Sequence, residues 1–130
     1  MDNLIISYGS INGTSLFLED QNLILVSAET LDLYPSTTLV VNTGISLYFT
    51  DKYSGILTNR QIQAENKILL PMAGLVYRGI CKNISITMTN FSPNPYRIKA
   101  GITKVATVQL VGKLRITKNI ILEQHDSNWL

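Results

Sequence analysis

Residues 71–90 read PMAGLVYRGICKNISITMTN, and this stretch decides the fold. Its second half is a strand, because Ile84, Ile86 and Met88 alternate with Ser85, Thr87 and Thr89, the period of two that sends one set of side chains to a core and the other to solvent. Its centre, Tyr77-Arg78-Gly79, is a turn leading into that strand. Short apolar runs between turn residues recur on both sides. Leu4, Ile5 and Ile6 open a strand that Gly9 and Ser10 end; Asn12-Gly13 is a strong hairpin dipeptide leading to Leu16, Phe17 and Leu18. Leu23-Ile24-Leu25-Val26 is a buried-strand run, Pro35 and Ser36 mark a loop, and residues 38–49, TLVVNTGISLYF, follow. Downstream, Ser92-Pro93-Asn94-Pro95 is a turn cluster before a strand over residues 103–111, and Leu114, Ile116, Ile120, Ile121 and Leu122 suggest a last strand. No stretch shows a helical period, so the pattern predicts an all-β roll or jelly-roll barrel with little or no helix.

A chain of 130 residues is read as one domain, residues 1–122, with a C-terminal tail, residues 123–130. Hydrophobic residues make up 45% and charged residues only 15%; the usual charged share is about a quarter, and spare apolar surface of this kind suits an oligomer. The lone Cys81 rules out an intrachain disulfide and favours a reducing compartment. Sequons at Asn12, Asn83 and Asn90 read as chance in an Asn- and Ser-rich chain, and no apolar run approaches the ~18 residues of a membrane span. The net charge of +2 hides an asymmetry: no carboxylate occurs between Glu65 and Glu123, while Lys67, Arg78, Lys82, Arg97, Lys99, Lys104, Lys113, Arg115 and Lys118 are basic. A magnesium-dependent phosphoanhydride hydrolase wants a carboxylate base and carboxylates near the metal, and this half of the chain supplies none.

Tyr77-Arg78-Gly79, with Thr43-Gly44-Ile45 upstream, Tyr53 and Gly55 after them and Gly101 downstream, resembles the trimeric dUTPase family in the order of its motifs over residues 13–111. The resemblance implies a dUTPase-like β-roll and a homotrimer, and it places functional positions. The general-base aspartate of the third motif falls on Gly74, which takes no proton. The aspartate of the first motif, which organises the metal's water shell, falls on Ser15; of the phosphate-gripping second motif only Arg60 remains. The fourth motif maps onto Gly101 to Leu110 with one inserted residue, Lys104 replacing its arginine, and no glycine follows Gly112 to make the Gly-rich phosphate arm. Ser15, Arg60, Gly74, Tyr77 and Arg78 thus mark a vestigial nucleotide pocket, with no catalytic residue, no cofactor and no metal expected.

Each of these residues also has a plain structural use. Tyr77 backs the deoxyribose in active relatives, but without a carboxylate at position 74 packing under a hairpin is favoured. Cys81 reads as a spectator thiol and His125, the one histidine, as a solvated residue of the tail. Arg97 with Lys99, and Lys113 with Arg115, have the i, i+2 spacing of a shared strand face, yet no aromatic platform accompanies them and nucleic acid is not the expected partner. Asn128, Trp129 and Leu130 are the partner-binding candidates: the terminal carboxylate could add to a PDZ domain, though Asn128 stands where such ligands carry Ser or Thr, and packing of Trp129 on a neighbouring subunit competes.

Framework kept, motifs eroded and a short tail in place of the arm look like the dUTPase-derived early region four proteins of adenoviruses. That resemblance implies an inactive viral regulator in the host cytoplasm or nucleus, binding host signalling proteins that include PDZ-domain proteins and phosphoinositide 3-kinase. Two alternatives stand beside it: a divergent active dUTP nucleotidohydrolase, and a viral structural protein on a β-roll.

Overall fold

The alternation around Met88 is present as a strand, Ser85–Asn90, in which Ile86 and Met88 are buried and Ser85 is exposed. The computed structural model describes residues 3–11, 14, 16–58, 68–69, 75–112 and 119–126. The regular structure among them is entirely β: β1 (Asn3–Ser10), β2 (Leu16–Glu19), β3 (Asn22–Val26), β4 (Leu31–Leu33), β5 (Thr38–Asn42), β6 (Ile45–Phe49), β7 (Tyr53–Thr58), β8 (Ile68–Leu69), β9 (Val76–Tyr77), β10 (Gly79–Cys81), β11 (Ser85–Asn90), β12 (Tyr96–Ile98), β13 (Lys104–Gly112) and β14 (Asn119–His125). The expected all-β architecture is what forms.

The strands make four sheets, in the orders β10-β6-β1-β14, β5-β11-β8, β12-β4 and β2-β3-β13-β7-β9. Each sends one face inward to a shared core. Ile6, Ile45, Leu47 and Phe49 come from the first sheet, Val41, Ile86 and Met88 from the second, Leu33 and Ile98 from the third, and Leu23, Leu25, Leu57, Val108 and Leu110 from the fourth. β3 is buried along its whole apolar run, Leu23 to Val26, as a strand lying between β2 and β13 can be. β13 bulges between Lys104 and Ala106, in the stretch where comparison with the fourth motif calls for an added residue.

Three sequence expectations change. The hairpin at Asn12-Gly13 does not join β1 to β2, for β1 pairs with β6 and β14 while β2 pairs with β3. The Ile11 N–H donates to the Gly44 carbonyl (2.7 Å) and the Thr14 hydroxyl to the Ile11 carbonyl (3.0 Å), so the chain leaves the first sheet here; residues 12–13 themselves lie outside the described residues. The tight hairpin is β2–β3, turned at Asp20-Gln21 with Asp20 at φ 55°. Second, the tail expected from residue 123 begins inside β14, which runs parallel to β1 from Asn3↔Asn119 to Gly9↔His125. His125 is therefore a half-buried strand residue whose Nε2 lies 3.0 Å from the Glu123 carboxylate, not a solvated tail residue. Third, Arg97 and Lys99 share no strand face, because β12 ends at Ile98 and the Lys99 carbonyl starts a turn, accepting from the Ile102 and Thr103 amides. Carboxylates from the other half of the chain meet the basic half: Asp32 pairs with Arg97 (3.1 Å) across β4 and β12, and Glu19 with Lys104 (3.2 Å). Lys113 and Arg115 lie outside the described residues.

Candidate functional site

Tyr77-Arg78-Gly79 is a crossing between sheets. Tyr77 ends β9, paired with β7 at Gly55, and Gly79 begins β10, paired with β6 at Phe49. Gly79 carries φ 63°, a left-handed conformation that lets the chain change sheets within one residue and that glycine adopts at little cost. Tyr77 turns inward and Arg78 outward: the Tyr77 ring stacks on Phe49 with centroids 6.3 Å apart and 9° between planes, whereas Arg78 is exposed. Phe49, only 2% exposed, also meets Tyr53 edge-on at 5.6 Å. Gly55 makes room for it, since a Cβ there would stand 2.8 Å from Phe49 Cε1 and 2.5 Å from Val108 Cγ1. The Tyr53 hydroxyl donates to the Tyr48 carbonyl at 2.7 Å, and burial pushes its pKa up to about 12.

Burial likewise raises the pKa of Tyr77, with the neighbouring Cys81 adding to it, and raises that of the Cys81 thiol, partly offset by its contact with the Arg78 carbonyl. A thiol held protonated is a poor nucleophile. Arg78 borders a groove of about 500 Å³ whose other walls are the β6–β7 turn, with Thr50, Asp51 and Lys52, and the end of β13 at Gly112. Two cations and one carboxylate therefore surround it. A second groove of about 550 Å³, between the β2–β3 turn and the start of β14, is lined by the polar Asp20, Asn22, Gln109 and Asn119.

The upstream framework match has a physical basis. Thr43 is fully buried, its hydroxyl donating to the Ile84 carbonyl (2.7 Å) and accepting from the Ile45 amide (3.3 Å). Gly44 sits at φ 69°, and a Cβ there would lie 2.8 Å from both the Ile11 carbonyl oxygen and Thr14 Oγ1. A second polar knot lies where β11 ends. Asn90 is fully buried; its Nδ2 donates to the Leu33 and Asn94 carbonyls (both 2.8 Å) and its Oδ1 accepts from the Ser92 amide (2.8 Å). This residue is the first letter of a sequon, and its side-chain amide is wholly used.

Of the expected pocket residues, Tyr77 and Arg78 are neighbours facing opposite ways. Ser15, Arg60, Gly74, Asn128, Trp129 and Leu130 lie outside the described residues. Sequence reasoning missed Phe49 as the support of Tyr77; alternation along Ile45, Leu47 and Phe49 signals its burial, but its partner depends on which strands adjoin. Among the described residues no three histidines, cysteines or carboxylates come together. Among the described residues no helix is long and apolar enough to cross a membrane.

No protein-family model matches the sequence, and no curated protein matches it. Solved structures do. The dUTPase of Staphylococcus bacteriophage 80alpha with bound dUpNHpp is similar at a TM-score of 0.72 and 17% identity, over 89% of this chain and 87% of that one. The dUTPase from Streptococcus mutans is similar at 0.68 and 18% identity, over 85% of this chain and 98% of that one. At such identity the likeness speaks for architecture alone: the chain has the dUTPase-like all-β fold.

Proposed function

We propose that this chain is a catalytically silent protein on a dUTPase-like fold that acts by binding other proteins. The observation that carries the proposal is Gly74, which stands five residues before Gly79 where the family's base aspartate belongs; without a carboxylate there no group takes the proton of the attacking water. The inward stacking of Tyr77 on Phe49 supports it, because it gives the tyrosine a packing role. The similar phage dUTPases control transfer of virulence genes by a proto-oncogenic G protein-like mechanism, so this fold serves in regulation elsewhere. The proposal extends to a viral regulator within the host cell, self-assembled as a trimer and engaging host signalling proteins, with residues 128–130 as a candidate contact for PDZ domains.

The test is calorimetric titration with dUpNHpp and magnesium beside a pyrophosphate-release assay on dUTP. The proposal expects no turnover. Turnover abolished by Tyr77→Ala would overturn it in favour of the second possibility, a divergent dUTP hydrolase, which the fold likeness to enzymes of that name favours.

A further inference from the structure

Arg78 and Lys52 meet at one groove without being neutralised. Arg97 lies 3.1 Å from Asp32 and Lys104 lies 3.2 Å from Glu19. Among the described residues neither Arg78 nor Lys52 has a carboxylate at ion-pair distance. Both are exposed, and both line the groove of about 500 Å³ between the β6–β7 turn, the β9–β10 crossing and the end of β13. Asp51 lines it too, without pairing to either cation.

The backbone that carries each cation is braced. In the β6–β7 turn the Tyr53 amide donates to the Thr50 carbonyl and the Lys52 amide to the Thr50 hydroxyl, both at 3.3 Å, while the Tyr53 hydroxyl ties back to the Tyr48 carbonyl (2.7 Å). Arg78 stands between Tyr77, whose ring is stacked on Phe49, and Gly79, which pairs with Phe49 at the start of β10. Phe49 and Tyr53 are both buried and both border the groove. The two cations are thus carried on a scaffold set before any ligand arrives, which lowers the ordering cost of binding.

We propose that this groove binds the side-chain carboxylate of an acidic peptide segment on a partner protein. The guanidinium of Arg78 is a planar fork that matches a carboxylate with two parallel bonds, and Lys52 adds a point charge. Asp51 selects among anions. Two cations and one carboxylate leave the groove with a single net positive charge, which a carboxylate neutralises, whereas a phosphate monoester of about −1.5 to −2 overshoots it and is repelled by Asp51. The Asp51 carboxylate also accepts N–H bonds, which a peptide backbone offers beside its acidic side chain and a simple anion does not. The groove exceeds a single carboxylate in volume, so flanking residues fit, and Val111, 37% exposed, gives them an apolar contact. The inference rests on the reading of the chain as a protein-binding module and names the chemistry of one partner.

Nuclear magnetic resonance titration of the full chain with acetyl-Leu-Glu-Leu-amide, beside its uncharged counterpart acetyl-Leu-Gln-Leu-amide, tests it. The glutamate peptide should shift the Lys52, Ser54 and Gly79 amides saturably. The glutamine peptide should bind about tenfold more weakly or worse, the scale of one charge-assisted contact. Arg78→Gln and Lys52→Gln should each weaken the glutamate peptide by about tenfold, with amide spectra away from the groove unchanged. Asp51→Asn should raise the affinity for inorganic phosphate, a probe that competes on charge alone. No saturable shift, shifts confined to other surfaces, equal binding of the two peptides, glutamine variants that bind like the wild type, or tighter binding of phosphate than of peptide by the wild-type chain would each overturn the proposal. Pyrophosphate release from dUTP is read in a separate assay. Turnover there sinks the protein-binding reading, whereas no turnover with no peptide bound sinks the groove's assignment alone.

Discussion

Asn90→Ala removes the polar knot that ties the end of β4 to the loop after β11. Three bonds of 2.8 Å disappear, and the consequences differ by partner. Leu33 is fully buried, so its carbonyl loses its donor where water does not reach it, at a cost of about 1–3 kcal/mol. The Asn94 carbonyl keeps the Ser92 hydroxyl as a donor (2.8 Å) and Asn94 is exposed, so that loss and the loss at the Ser92 amide are each nearer ~0.5–1 kcal/mol. The sum is about 3 kcal/mol, a large share of the ~5–15 kcal/mol that holds a domain folded. Equilibrium urea denaturation should show the midpoint falling by roughly 1–2 M at the m-value of a chain this size. Asn90→Asp sharpens the argument. A carboxylate facing two carbonyls has its pKa raised in the folded state above its unfolded value of about 3.9. Its folded-state contribution is therefore present at low pH and lost as pH rises through the folded pKa, so the variant should be weaker at pH ~7 than at pH ~4 relative to wild type. A midpoint within error of wild type for Asn90→Ala would refute the view that this side chain holds the end of β4 to the loop after β11.

Thr43→Val keeps shape but strips the hydroxyl from the Ile84 carbonyl and Ile45 amide; thermal or urea unfolding should show a loss of about 1–2 kcal/mol. Gly44→Ala forces a Cβ against the Ile11 carbonyl at a left-handed φ and should cost ~2 kcal/mol or more by the same measurement. Tyr53, whose pKa is raised to about 12, confers stability that is complete below the unfolded tyrosine pKa of about 10 and lost as pH climbs through the folded value. Absorbance titration should reveal late tyrosinates, one of which Tyr53→Phe removes, together with the part of alkaline destabilisation that follows it.

What the sequence discloses is what depends on neighbours along the chain. The alternation of Ile84, Ile86 and Met88 gives β11, and the unbroken run Leu23 to Val26 gives a strand buried on both faces. What it conceals depends on partners far apart. The parallel union of β1 with β14 joins positions more than a hundred residues apart, and no local pattern announces it. The strong turn signal Asn12-Gly13 loses to the bonds that carry Ile11 toward Gly44, whereas the unremarked Asp20-Gln21 makes the hairpin. Charge is misjudged for the same reason: a run without carboxylates looks like a cationic surface until Asp32 and Glu19 arrive from the opposing strands. At the candidate site the letters give Tyr77 and Arg78, but that one faces Phe49 and the other a groove follows from the sheet crossing at Gly79.

Tyr77 is where packing and ligand recognition make opposite claims, and its ring and hydroxyl can be separated. As packing, the ring does the work: it covers Phe49, which Tyr53 braces edge-on and Gly55 accommodates. Tyr77→Ala then costs about 2 kcal/mol, since the half-buried side chain forfeits part of the ~3–5 kcal/mol seen for fully buried rings. Tyr77→Phe keeps the stack and should stay within ~0.5 kcal/mol of wild type. A double-mutant cycle with Phe49→Leu should return a coupling of about 0.5–1.5 kcal/mol, the range for aromatic pairs. A ligand-facing tyrosine makes the reverse pattern: Tyr77→Ala near neutral in stability, no coupling to Phe49, and nucleotide binding lost with the ring. Because stability and binding are measured separately, a stable Tyr77→Ala protein that has lost dUpNHpp binding refutes the packing role directly.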